Sequence, residues 1–153
     1  MRAPRLIKLE NLSKASSDNS KKMRAVRRAN TKPELIVRKV LHAQGLRFRI
    51  HQKSLPGSPD IVLTRHRTVI FVHGCFWHRH QDCRYASTPK TRQDFWQAKF
   101  QSNITRDKTK EAQLVELGWR VIIVWECETR KLDILENQLK LYFGSEARLP
   151  RSS

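Results

Sequence analysis

The sequence is poor in cysteine, poor in carboxylates and without a long apolar run. Three cysteines are an odd number, which excludes a closed disulfide framework and leaves metal binding or catalysis as their use. No stretch approaches the about 18 consecutive apolar residues that a bilayer span needs. Leu6-Ile7 is too short for the apolar centre of a signal peptide, so the expected location is the cytoplasm. No amphipathic stretch carries a basic face long enough to favour a membrane surface. No internal repeat is visible, and 153 residues with 39% hydrophobic content fit one domain with one core. Asp and Glu number 14 against 31 Lys and Arg, a net charge of +17. Such an excess implies a polyanionic partner bound with release of its counterions.

The charge is distributed unevenly. Residues 1–30 hold nine Lys or Arg against Glu10 and Asp18, with frequent Ser and Asn and little apolar periodicity. They are expected to form a flexible basic arm that orders on a partner. Order should begin at Thr31, where Thr31-Lys-Pro-Glu34 has the form of a capping box with Pro33 in the first turn. Leu35, Ile36, Val40 and Leu41 recur at helical spacing, and Gly45 can close that helix. Leu46 to Ile50 alternates as a half-buried strand does. Pro59 to Leu63 and Thr68 to His73 form a strand pair across a polar turn. Thr91-Arg-Gln-Asp94 is a second capping box, opening a continuous or broken helix that Gly118 stops. Arg120 to Trp125 is a strongly apolar strand. A last helix covers Leu132–Tyr142 with Leu135, Leu139 and Tyr142 inward, and a loose tail follows over 144–153. The order predicts an α/β fold, a small mixed sheet flanked by helices, over 31–143.

The densest chemistry lies in Gly-Cys-Phe-Trp-His-Arg-His-Gln-Asp-Cys, residues 74–83. Cys75, His80 and Cys83 have the spacing C-x4-H-x2-C, and Cys127 follows the strand that ends at Trp125. Three thiolates and one imidazole suit a tetrahedral zinc in a closed structural site, and bind zinc far better than magnesium. Such an ion would pin a loop that has few core residues of its own.

A second constellation surrounds it. Asp60 opens an apolar strand directly after the turn Leu55-Pro-Gly-Ser-Pro59, where a polar residue belongs only at a sheet end facing a cleft. His73 ends the neighbouring apolar run, and His78 lies five residues further on. A carboxylate can hold Mg2+ through oxygen, and the ion can neutralise a phosphodiester. A neutral imidazole can accept a proton from water. Each residue alone is more often structural; together they point to metal-assisted hydrolysis of a phosphate ester.

Taken in order, Pro59-Asp60, Phe71-Val-His73-Gly-Cys-Phe-Trp-His78, Phe95-Trp96, Lys99, Asn103, Arg106-Asp107, Gly118-Trp119-Arg120 and Val124-Trp-Glu-Cys127 resemble the very-short-patch repair DNA mismatch endonucleases. The resemblance runs from about residue 19, where Lys-Lys-Met-Arg-Ala25 fits the family's arm, to about residue 143. It implies a restriction-endonuclease-like core with a structural zinc. The implied reaction is a Mg2+-dependent nick in one strand of double-stranded DNA, 5′ to the thymine of a T·G mismatch left by deaminated 5-methylcytosine. By matching positions, Asp60 would be the principal Mg2+ ligand, joined by the backbone carbonyl of Val72. His73 and His78 would handle the water and the scissile phosphate, with His78 as general base. Glu34 and Asp107 would support them, and Asn103 would contact phosphate or solvent. Cys75, His80, Cys83 and Cys127 match the zinc ligands.

The resemblance also implies a DNA-inserting trio in Phe76, Trp77 and Trp96. A ring wedge unstacks a mismatched step more readily than a paired one. Met23 and Lys99 match positions at the mispair. Two residues, Gln81-Asp82, separate His80 from Cys83 where some relatives have one, which a loop absorbs. One asymmetric mismatch needs only a monomer, and a mismatch-repair matchmaker protein is an implied partner. The alternatives are a related endonuclease with other lesion or sequence specificity, and a non-catalytic zinc-containing DNA-binding module. The second would need the charge and the rings but not Asp60, His73 and His78 together.

Overall fold

The computed structural model describes residues 29–144; all but the last two residues of the expected arm, Met23 included, and all but the first residue of the expected tail lie outside that range. Helix α1 spans Lys32–Ala43. Pro33 fits its first turn because the amide it lacks would have no intrahelical partner there. The buried stripe is Glu34, Val37, Val40 and Leu41. Leu35 is 46% exposed and Ile36 only flanks the core, so the inward face is turned one position from the expected one. A period of 3.6 residues allows both faces when apolar residues adjoin, and packing chooses between them.

Gly45, at φ +78, ends α1. Leu46 N–H donates to the Leu41 carbonyl (3.0 Å) and Gly45 N–H to that of His42 (3.0 Å), so the chain reverses with its last carbonyls satisfied. The half-buried strand expected over Leu46–Ile50 is only Arg49–Ile50 (β1), both exposed. Leu46 and Phe48 pack on the core from irregular backbone instead.

Strands β2 (Ile61–Leu63) and β3 (Thr68–His73) form the expected antiparallel pair around a short 3-10 turn at Thr64–His66. Strand β4 (Arg120–Trp125) lies parallel to β3, so the sheet is mixed, in the order β1-β2-β3-β4. Parallel neighbours need a crossover, which helix α2 (Gln93–Glu116) supplies as one unbroken helix of 24 residues. The second capping box does not form: Arg92 is the N-cap, in the left-handed region, with no side-chain cap hydrogen bond. Gly118, at φ +90, closes α2 as Gly45 closes α1.

Helix α3 spans Leu132–Phe143. Its inward residues are Leu135, Leu139 and Phe143; Tyr142 is 44% exposed. Positions i, i+4 and i+8 stay on one stripe, and i+7 at Tyr142 falls off its edge here. One core joins α1 and α3 to Ile61, Leu63, Ile70, Ile122 and Val124. A smaller one joins Leu114 of α2 to Val62, Val69 and Phe71. Alternate residues of β2, β3 and β4 thus serve opposite faces, which is why these strands are continuously apolar. The result is a three-layer α/β sandwich whose parallel strands end together, His73 opposite Trp125.

Candidate active site and metal centre

The segment leaving β3 serves two side-chain clusters in turn. Beyond His73 the backbone coils tightly: His78 N–H donates to the Gly74 carbonyl (3.1 Å) and His80 N–H to that of Cys75 (3.0 Å). Cys75 and His80 turn to one cluster, His73 and His78 to the other.

In the first, ligand atoms of Cys75, His80, Cys83 and Cys127 all lie within 4.8 Å of one another. The His80 Nδ1 atom is 3.7 Å from Cys75 Sγ and 3.4 Å from Cys127 Sγ. Tetrahedral zinc with ordinary Zn–S and Zn–N bonds would set sulfur–nitrogen edges of ~3.5 Å. Cys127 comes from a 3-10 turn, Glu126–Arg130, at the end of β4, and its N–H donates to Cys75 Sγ (3.4 Å). Burial pushes the Cys75 thiol up to about 12 and raises that of Cys127. Burial acts the same way on Cys83, but the Tyr85 N–H and the two neighbouring thiols outweigh it and hold that thiol low. Without a cation the set cannot ionise together; a divalent ion removes the conflict. The donor set and its spacing therefore fit zinc. The His80 ring stacks on Trp125, centroids 4.2 Å apart and planes 10° from parallel.

The second cluster gathers at the same end of the sheet. Asp60 precedes β2, and its Oδ2 accepts the Val72 N–H at 2.7 Å. Burial, with the nearby Glu34 charge, lifts its carboxyl to about 6 against the pull of that hydrogen bond and of His51 and His78. A buried carboxylate held above its usual range is stabilised in ionised form by an adjacent cation, so the site fits a hard divalent ion. His73 and His78 stack face to face, 3.8 Å between centroids and 7° between planes. Burial and then the His78 charge depress His73 to about 4. At neutral pH it is an uncharged imidazole. His78 Nδ1–H donates to Asp107 Oδ2 at 2.6 Å.

Asp107 stands on α2 with Trp96, Lys99 and Asn103, spaced so that all four share one helical stripe. Asn103 Nδ2–H donates to the Trp77 carbonyl (3.1 Å), fixing the loop to that stripe. Lys99 is half-buried on the same stripe. Phe76, Trp77 and Trp96, from two separate elements, meet ring to ring: Phe76 to Trp77 at 5.0 Å, Phe76 to Trp96 at 5.5 Å and Trp77 to Trp96 at 6.0 Å. All three are half-buried, so the trio is neither core nor loose surface.

Glu34 is 3% exposed; its Oε2 faces Arg38 Nη2 at 3.1 Å and His51 Nε2 at 3.4 Å. His51 escaped the sequence reading. It forms with Glu34 and Asp60 a third group whose ligand atoms lie within 4.8 Å of one another. Register could have found it: extending the pair Ile50–Ile61 one step sets His51 opposite Asp60, and His51 N–H does donate to the Asp60 carbonyl (3.3 Å). Trp125 was also missed; its ring meets His73 edge-on at 5.4 Å as well as stacking on His80. No local pattern marks it, since it completes an apolar strand.

Comparison with known proteins places this arrangement. Residues 13–85 match the family model described as DNA mismatch endonuclease Vsr. The type II nicking enzyme V.XorIIP of Xanthomonas oryzae pv. oryzae is 52% identical over 118 residues, covering 77% of this chain and 86% of that protein. The DNA mismatch endonuclease Vsr of Escherichia coli is 46% identical over 119 residues, 78% of this chain and 76% of that one. Among solved structures, the catalytic domain of the homing endonuclease I-Bth0305I superposes with a TM-score of 0.54 at 20% identity, covering 76% of this chain and 97% of that domain. At that identity the likeness establishes the fold, a restriction-endonuclease-like core.

Proposed function

Because this chain belongs to the DNA mismatch endonuclease Vsr family and is a DNA endonuclease, we propose that it nicks one strand of duplex DNA 5′ to the thymine of a T·G mismatch. The observation that carries the proposal is the His73–His78–Asp107 group at the end of β3 and on the α2 stripe, with the Glu34–His51–Asp60 group near enough for His78 to act on the Asp60 carboxyl. A DNA-binding module has no use for a carboxyl lifted by burial beside an Asp-His pair and a second stacked imidazole.

The ions follow from the donors. Zn2+ would be held by Cys75, His80, Cys83 and Cys127 and would serve structure. Mg2+ would be held by the Asp60 carboxylate and the Val72 backbone carbonyl, and would supply charge neutralisation and Lewis acidity at the scissile phosphodiester. His78 is the general base. Asp107 accepts a hydrogen bond from its Nδ1–H, which fixes the tautomer and leaves the Nε2 lone pair for the proton of the attacking water. His73, neutral and stacked on His78, keeps that ring in plane and offers a hydrogen bond to a phosphate oxygen. Glu34, with Arg38 and His51, braces the wall beside Asp60.

Phe76, Trp77 and Trp96 form the wedge that enters the duplex, with Lys99 and Met23 at the mispair. A T·G step is less costly to unstack than a paired one, so selection begins with deformation of the DNA. The chain acts as a monomer in the cytoplasm, and a mismatch-repair matchmaker protein is its partner there. Among the described residues no helix is long and apolar enough to cross a membrane.

The test is a panel of labelled duplexes carrying T·G, other mispairs or none, each with and without Mg2+. Nicking confined to the T·G thymine strand and dependent on the ion is expected. Equal cleavage of perfectly paired duplex would replace the repair reading with that of a sequence- or lesion-specific relative, and binding without cleavage would leave only a DNA-binding module.

A further inference from the structure

Arg79 stands between the two clusters in sequence and belongs to neither. Its flanking residues, His78 and His80, face Asp107 and the thiols respectively. Its own backbone lies in the left-handed region, φ +54, which side-chain-bearing residues rarely adopt. The guanidinium then spans the loop. Nη1 donates to the carbonyls of Phe76 (3.3 Å) and Ser87 (3.1 Å), and Nη2 to the Ala86 carbonyl (2.9 Å) and to Thr88 Oγ1 (2.9 Å). The same group lies 4.1 Å from the ring centroid of Phe100 and 5.8 Å from that of Phe76. Phe100, 3% exposed, touches both Phe76 (5.3 Å) and Trp96 (5.7 Å).

One side chain therefore ties the root of the aromatic trio to residues 86–88 and presses on the buried ring beneath it. The thiol–imidazole set reaches only the near part of that segment, where Ala86 N–H donates to the Cys83 carbonyl (3.0 Å); Arg79 carries the tie on to Ser87 and Thr88. Only a planar fork with several donors can serve acceptors on both sides at once; an ammonium group would serve one side.

Resting on the wedge assigned above, we propose that Arg79 is a positioning residue that sets the aromatic wedge for insertion, and so governs mismatch discrimination without touching the reacting atoms. A wedge distinguishes a weak step from a sound one only if the wedge is stiffer than the step. A trio free to fold back would yield first, on T·G and paired DNA alike.

The experiment uses the full chain with its metals, as the parent, Arg79→Gln, Arg79→Lys and Trp77→Ala. The readouts are zinc content, 2-aminopurine fluorescence beside the mismatch in Ca2+, the single-turnover rate in Mg2+ at saturating DNA, and the T·G to T·A cleavage ratio. Arg79→Gln is expected to keep its zinc and lose most of the fluorescence rise. Its affinity for T·G duplex should fall about tenfold while the saturated rate changes less than about threefold. Arg79→Lys should fall between, because it keeps the charge and loses the fork. Parental fluorescence and parental discrimination in Arg79→Gln would overturn the role. So would loss of zinc with equal loss on both duplexes, which would make Arg79 a scaffold residue. If Arg79→Gln does not fold, Thr88→Val removes one acceptor and should give a smaller change of the same kind; no change overturns the proposal. A parental signal from Trp77→Ala would instead dispose of the wedge itself, and of this role with it.

Discussion

The thiol–imidazole set and the carboxylate–imidazole set share the segment 73–83, yet they are built differently. Three of the four soft donors, Cys75, His80 and Cys83, come from one loop, and only Cys127 reaches across from the end of β4. The hard donors fall in two groups, His73–His78–Asp107 and Glu34–His51–Asp60, whose carboxylates arrive from α2, from α1 and from the start of β2. Four donors around a tetrahedral ion would leave the soft set no position for substrate. The hard side stays partly open, with His78 and Asp107 half-buried. Ligand softness alone would sort two different ions into two sites that share a backbone. Rigidity made by one can then be used for chemistry by the other, with Trp125 touching a histidine of each.

The sharpest way to break this contrast is to damage one set and watch the other. Asp60→Ala is expected to lower nicking on the order of a thousandfold or more while zinc content, melting temperature and DNA affinity stay near parental. Retained nicking would show that the ion is held elsewhere. Cys127→Ser should do the reverse. Structural zinc binding is coupled to folding, so the loss should appear first as a lowered melting temperature and released zinc, with activity following. A parental melting curve with zinc bound would contradict that division.

Chelation should separate the sets without mutation. Brief treatment with a chelator is expected to abolish nicking reversibly, restored by Mg2+ alone, with zinc still bound by elemental analysis. A need for added zinc would mean that the soft set is open. A pH series sharpens the hard side further. Asp60 titrates near 6 in the folded chain and near 3.8 unfolded, so the native state keeps its proton longer. Its contribution to the stability of Mg2+-free protein is complete below about pH 4 and lost as pH rises through about 6. Urea melts should show that slope in the parent and not in Asp60→Asn. The smallest effect belongs to neither set: Gly45→Ala, at φ +78 with open space around it, should cost about 1 kcal/mol by strain alone and leave nicking unchanged.

Legibility followed how local each feature is. The β2–β3 pair, the α2 terminus at Gly118 and the grouping of Cys75, His80 and Cys83 were visible because alternation, a helix-ending glycine and short-range spacing are local. The inward faces of α1 and α3 were misjudged by one position, at Leu35 and Tyr142, because two candidate stripes differed only in what stood opposite them. The second capping box failed for a related reason: Thr91 and Asp94 have the right types, but the chain arrives from the metal loop with Arg92 already turned left-handed. His51 and Trp125 were missed because their importance lies in partners far along the chain, at Asp60, Glu34, His73 and His80.

By itself the sequence determined the charge, the three thiols with their histidine, the apolar strands and the residue types available for hydrolysis. Those depend on composition and on neighbours a few positions apart. Which imidazole meets which carboxylate, which ring backs another, and which helical face turns inward were decided by the parallel pairing of β3 with β4 and by the α2 crossover. Only when those long-range contacts form do residues more than ten positions apart, such as Asp60 and Val72 or His78 and Asp107, come within hydrogen-bonding distance.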